Sequence, residues 1–175
     1  MAANFISGFW EILKEVWGWC SFVEVLQPWS GGIQQRMGKF VRVVHGGWWL
    51  KYPFGIDVFY TMNVRPKALE LDEQALTTLD GLDIVVKGVC IWSVFDVKKA
   101  FLDVDDVEDT LDDIALGIIQ NVVDFQDWDY LRTEECKREI KRAIQRQARK
   151  WGVSISSFKW QSIVLARSFK LFGQC

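Results

Sequence analysis

The segment from Leu82 to Phe95, LDIVVKGVCIWSVF, constrains the fold most, because it is apolar on both of its alternating faces. One face would carry Ile84, Val86, Cys90, Trp92 and Val94, and the other Val85, Val89, Ile91 and Phe95. A strand of this kind lies in the middle of a sheet and is covered on both sides by other elements. The Asp80-Gly81 pair just before it, between two β-rich runs, predicts a hairpin closed by a type I′ turn.

Residues 31–64 also have the composition of strands. They comprise IQQRMGKFVRVV, a turn at HGG, then WWLKYPF and IDVFYTMNV, whose alternation runs through Ile56, Val58, Tyr60 and Met62. This part of the chain predicts further strands of an antiparallel-rich sheet.

After residue 105 the apolar residues follow helical spacing. The first helix would use Val107, Leu111, Ile114, Ala115, Ile118 and Val122. The second would be capped by Thr133 and ended by Gly152. Its inward stripe would be Cys136, Ile140, Ala143, Ile144, Gln147 and Trp151.

The alternation of the last strand, VSISSFKWQSIVL, slips by one residue at Ser156-Ser157, which predicts a bulge. We therefore predict an α+β fold, with an antiparallel-rich sheet and two packed helices.

The two helices carry opposite charges. The first begins in the acidic run DVDDVEDTLDD, which lacks the glycine and the ligand alternation of a calcium loop, so we predict no metal site there. Acidic side chains suit the positive end of a helix, and the basic face of the second helix is their expected partner, in this chain or in a neighbour. The predicted inter-subunit pairing joins Asp105, Asp106, Asp109 and Asp112 to Arg138, Arg142, Arg146 and Arg149.

The chain begins with an aromatic, amphipathic segment. On a helical wheel, residues 5–20 place their apolar side chains on one arc of about 180°. We predict that residues 1–29 form a helix for membrane association or assembly, and that residues 30–175 form the globular domain. The predicted face comprises Phe5, Phe9, Trp10, Ile12, Leu13, Val16, Trp17 and Trp19. Three coverings are possible for it: the domain's own core, a membrane, or the same helix in sister subunits.

The sequence has little material for catalysis. His45 is the only histidine, no nucleophile or carboxylate constellation surrounds it, and the common nucleotide, metal and hydrolase motifs do not occur. The four cysteines are far apart, which favours a reduced, intracellular protein without a zinc site. The net charge of −2 gives no general attraction to nucleic acid. We predict no enzyme activity, no cofactor and no nucleic-acid partner. We also expect neither a signal peptide nor a clean transmembrane span.

Several segments together resemble the SPFH or Band 7 family of stomatins, prohibitins and flotillins. They are GIQQRMGKF, GGWWLKYPFGIDVFYTMNVRP, LTTLDGLDIVVKGVCIWSV, FDVKKAFLDVDDVEDTLDDIALGIIQNVV and LRTEECKREIKRAIQRQARKWGVSISSF, spread over residues 30–172. The resemblance implies an α+β SPFH domain that acts as a non-enzymatic scaffold and assembles into rings or cages on membranes. It also implies that Trp48 and Trp49 extend the aromatic face of the N-terminal helix. Because neighbouring residues of a strand face opposite sides, we expect one of the two tryptophans to lie near a boundary.

The sequence departs from the family pattern in three places. Val97 stands where the family usually has proline after the central strand, the N-terminal segment carries charges, and the long coiled coil is missing after Cys175. We therefore expect assembly through the domain and the N-terminal helix. The predicted partners are other copies of the chain, membrane lipid, and another membrane or virion protein. The alternative function is a viral structural oligomer whose N-terminal helices bundle with each other. A hydrolase is a third and weaker alternative.

Overall fold

The computed structural model describes residues 22–166, which divide into two compact units at Val64. The first unit contains β1 (Val23–Arg36), β2 (Lys39–Leu50) and β3 (Asp57–Asn63). The second contains β4 (Lys67–Glu70), β5 (Gln74–Thr77), β6 (Asp83–Val94) and β7 (Val153–Leu165), with helices α1 (Val97–Leu102), α2 (Val107–Asp124), α3 (Trp128–Leu131) and α4 (Glu134–Ala148). The predicted α+β class is confirmed.

The first unit is an antiparallel sheet in the order β2-β1-β3. The hairpin between β1 and β2 turns at Met37 and Gly38, both with positive φ, as a type I′ turn requires. The predicted turn at HGG is wrong, because β2 continues through it. Gly46 is needed there for a different reason: a Cβ on it would lie 2.4 Å from the Cα of Pro28, in the irregular part of β1.

Strand β1 begins at Val23, inside the segment 1–29 that we assigned to a helix. Val23 and Val25 pair with Leu50 and Trp48 of β2, so the residues from 23 onwards belong to the sheet. The predicted helix over residues 5–20 lies outside the described residues and stays a prediction.

In the second unit, β6 is the central strand, as predicted. Strands β4 and β5 pair with successive halves of one edge, and β7 pairs along the other. The face with Ile84, Val86, Cys90, Trp92 and Val94 is buried. The opposite face is only half-buried and Phe95 is exposed, so the prediction of full cover on both sides is wrong for this face.

The predicted hairpin before β6 is confirmed, but its turn is of another type. Between the hydrogen-bonded Thr78 and Leu82 its loop has three residues, Leu79 to Gly81, and only Gly81 among them has positive φ. The amide of Thr78 donates to the carbonyl of Leu82, and that of Gly81 donates to Thr78. This is a turn completed by a glycine bulge, in which Asp80 keeps an ordinary conformation.

The helices begin and end near the predicted residues. Asp106 caps α2 by accepting from the amides of Glu108 and Asp109, Thr133 caps α4, and Gly152 ends its last turn at φ 73°. The buried stripe of α2 is rotated from the prediction, since it comprises Val107, Leu111, Ala115, Ile119 and Val123. In α4, Ala148 is buried in place of the predicted Gln147, which is exposed.

Strand β7 contains the predicted bulge at Ser156, where the register against β6 shifts, and a second one at Gln161. The side chain of Gln145 on α4 fixes the start of this strand. It accepts from the amide of Ile155 at 2.7 Å and donates to the carbonyl of Val153 at 3.3 Å. The position of α4 against the sheet therefore depends on hydrogen bonds as well as on its apolar stripe.

Candidate functional site

An exposed apolar patch lies at the open end of the β1–β2 hairpin. We call it the apolar hairpin end, and it comprises Val23, Val25, Trp48 and Leu50. Val25 is directly opposite Trp48, and Val23 is opposite Leu50, so all four side chains leave the same face of the sheet. Trp48 is 70% exposed and Val25 is 76% exposed. Large apolar side chains grouped in this way are typical of a surface that is covered by a membrane or a partner.

The neighbouring Trp49 lies on the other face and has partners there. Its Nε1 donates to the carbonyl of His45 at 2.7 Å, and the guanidinium of Arg42 stacks 4.7 Å from the centre of its ring. The two tryptophans therefore do not form one surface. Only Trp48 belongs to the apolar hairpin end, and the other predicted residues of that face, Phe5 to Trp19, lie outside the described residues.

A buried carboxylate network holds the same sheet together, and the sequence did not reveal it. Asp57 on β3 accepts from Arg36 at 2.8 Å and 3.2 Å and from Gln34 at 2.9 Å. The amide of Tyr52 donates to it at 3.0 Å, and Arg42 donates to Gln34 at 2.6 Å. The Arg36 hydrogen bond is the main cause that lowers the pKa of Asp57 to about 2. The carboxylate therefore stays ionised over the physiological range and connects all three strands.

A second surface lies on the outer side of α4. This arginine groove, with a volume of about 850 Å³, is lined by Tyr130, Glu135, Arg138, Glu139, Arg142, Gln145, Arg146 and Arg149. The arginines follow each other at three- and four-residue spacing, which places them in one row along the helix. The predicted basic residues are thus brought together on one exposed face.

The predicted acidic residues are grouped at the start of α2. We call Asp105, Asp106, Asp109 and Asp112 the acidic helix start. Burial and the neighbouring carboxylates of Asp72, Asp113 and Asp109 raise the pKa of Asp112. None of the ion pairs found between residues 22 and 166 joins the acidic helix start to the arginine groove.

The described part of the chain offers little for covalent or metal chemistry. Burial raises the pKa of Cys90 to about 12 and that of Cys136 to about 11, so both thiols are protonated at neutral pH. No group of three potential metal ligands is close enough to hold an ion among residues 22–166. No helix within that range has the length and apolar character to span a bilayer.

Comparison with known proteins identifies relatives over most of the chain. The sequence profile of the SPFH domain / Band 7 family matches residues 24–170. The chain is 27% identical over 141 residues to stomatin-like protein stl-1 of Caenorhabditis elegans, which covers 79% of this chain and 43% of the worm protein. An uncharacterised protein of Methanocaldococcus jannaschii is 23% identical over 167 residues, covering 93% of this chain and 83% of that protein. A band 7 family protein of Acanthamoeba polyphaga mimivirus is 23% identical over 136 residues, covering 77% and 45%.

Proposed function

The chain belongs to the SPFH domain / Band 7 family, and from this premise we propose that it assembles with copies of itself into a ring or cage at a membrane. The stomatin-like members of this family are generally non-enzymatic membrane scaffolds. The chain spans less than half the length of the worm and mimivirus relatives, so the proposal concerns what its own surfaces can do.

The apolar hairpin end is the observation that carries the membrane part of the proposal. It places a tryptophan, a leucine and two valines on one face, and the exposed Phe22 comes immediately before it in the chain. The aromatic segment predicted to be amphipathic leads directly into Phe22, so the two apolar surfaces are continuous in sequence. Tryptophan is favoured at the membrane–water interface, and burying one large apolar side chain stabilises by about 1.5–3 kcal/mol.

Flotation of the full chain with vesicles of phosphatidylcholine and phosphatidylserine tests whether the apolar hairpin end binds a membrane. Replacing Trp48 and Val25 together by serine removes the centre of the patch from exposed positions, so the fold is kept. We expect the partition constant for vesicles to fall at least about tenfold, since the lost burial exceeds about 1.4 kcal/mol. The control is Phe125→Ser, an equally exposed aromatic residue in the second unit. Equal binding of all three proteins would contradict the role of this patch.

A structural oligomer of a virion is the second candidate, because one relative is a mimivirus protein. In that case the N-terminal segments would bundle with each other, and the apolar hairpin end would be covered by protein. Mass photometry without lipid separates the two candidates. A large particle that does not float with vesicles supports the virion alternative, and a particle that floats supports the membrane scaffold.

A further inference from the structure

The arginine groove has a net positive charge, because four arginines line it against two glutamates. None of the ion pairs between residues 22 and 166 includes Arg138, Arg142, Arg146 or Arg149. Two carboxylates, Glu135 and Glu139, also line the groove, and Glu139 accepts from the hydroxyl of Tyr130 at 3.1 Å. The lining is therefore a row of four cations with two anions near one end. This pattern suits a partner with spaced charges better than a continuous polyanion.

The acidic helix start has the opposite charge. Asp105 and Asp109 are exposed and four residues apart, as are Arg142 and Arg146 in the groove. Arg142 and Arg146 lie one turn apart, about 6 Å along the axis of α4, whereas Asp109 lies in the first turn of α2 and Asp105 in the bend just before it. Burial and the carboxylates of Asp72, Asp113 and Asp109 disfavour the charge of Asp112, and an approaching cation would relieve the repulsion.

We propose that the arginine groove of one copy receives the acidic helix start of a second copy, so that Arg142 and Arg146 pair with Asp109 and Asp105 between subunits. The inference rests on the proposed assembly and names its contact surfaces. Because the two surfaces are different parts of the same unit, the contact is heterologous, and repeating it generates a ring or an open chain of copies. The interaction is electrostatic, so it weakens as salt shortens the range of charge interactions.

Complementary charge reversals in the full chain test this pairing. Arg142→Glu with Arg146→Glu makes the groove acidic, and Asp105→Arg with Asp109→Arg makes the helix start basic. Each double variant then presents two surfaces of like charge, so we expect each alone to assemble at least about tenfold more weakly, measured as particle mass against concentration. Mixed in equal amounts, the two variants are complementary at every contact between unlike copies, and we expect alternating copies to restore the wild-type particle mass.

Two further arms distinguish the possible failures. Lys39→Glu with Lys159→Glu changes the charge equally at exposed positions outside the groove, and it should assemble like the wild type. If wild type assembles and the mixture does not regain its mass, the pairing is wrong while the scaffold proposal stands. A monomeric wild type contradicts both. If the Arg142→Glu/Arg146→Glu protein keeps its mass but no longer floats with phosphatidylserine vesicles, the groove binds lipid headgroups, and the pairing is again overturned.

Discussion

Replacing Asp57 by asparagine removes the charge at the centre of the first unit while keeping the side chain's shape. The ordinary pKa of 3.8 falls to about 2 in the folded protein, chiefly through the Arg36 hydrogen bond. One pKa unit corresponds to about 1.4 kcal/mol, so the ionised carboxylate stabilises this sheet by about 2 kcal/mol near neutral pH. We expect Asp57→Asn to lose that contribution.

The pH dependence follows from the direction of the shift. Because the folded-state pKa is lowered, the stabilisation is complete above the unfolded pKa of 3.8 and is lost as the pH falls through about 2. The wild-type sheet should therefore weaken between about pH 4 and pH 2, whereas the sheet of the Asp57→Asn variant should lack this part of the acid transition.

Hydrogen exchange of the β1 and β3 amides measures this directly. At pH 7, a loss of about 2 kcal/mol makes their exchange about thirtyfold faster. The control is Glu24→Gln, which breaks the 2.6 Å ion pair with Lys51 in the same sheet. Both groups of that pair are partly exposed, so its loss should change the stability by less than about 1 kcal/mol. Equal exchange in Asp57→Asn and Glu24→Gln, or an unchanged acid transition, would refute the assignment of Asp57 as the centre of the sheet.

Two further substitutions test the second unit. Gly152→Ala should destabilise it by about 1–3 kcal/mol in chemical unfolding, because φ is 73° and the new Cβ would lie 2.4 Å from the carbonyl oxygen of Asp96. Gly117→Ala, in open space on α2, should instead stabilise it by about 0.5–1 kcal/mol, and the same sign for both would contradict this reasoning. Gln145→Ala should cost about 1–3 kcal/mol by leaving the amide of Ile155 and the carbonyl of Val153 without this partner, whereas the exposed Gln147→Ala should be nearly neutral by thermal unfolding.

Features that depend on neighbouring residues were predictable from the sequence. The predicted cap at Thr133 uses a side chain that reaches the backbone three residues away, and Asp106, predicted only as an acidic residue at the positive helix end, caps α2 in the same local way. The bulge at Ser156 interrupts an alternation that is otherwise regular. The central position of β6 followed from its composition, because few other segments are apolar on both faces.

Features that depend on distant residues were not predictable in the same way. Gly46 looked like part of a turn, but its function is to let Pro28, 18 positions earlier, come close to β2. The Asp57 network joins residues from three strands and a loop, and its only sequence signal is the polar alternation of Gln34 and Arg36. The rotation of the α2 stripe depends on what packs against it, which helical spacing alone does not specify.

The long-range pairing of β6 also has a consequence during synthesis. Its partner β7 follows at the end of the unit, so that Val94 pairs with Val153 and Ile84 pairs with Leu165. At about 5–20 residues per second, several seconds of translation separate the appearance of these two strands. Throughout that interval the most apolar strand of the nascent chain has one unpaired edge, the kind of surface on which chains aggregate and to which chaperones bind.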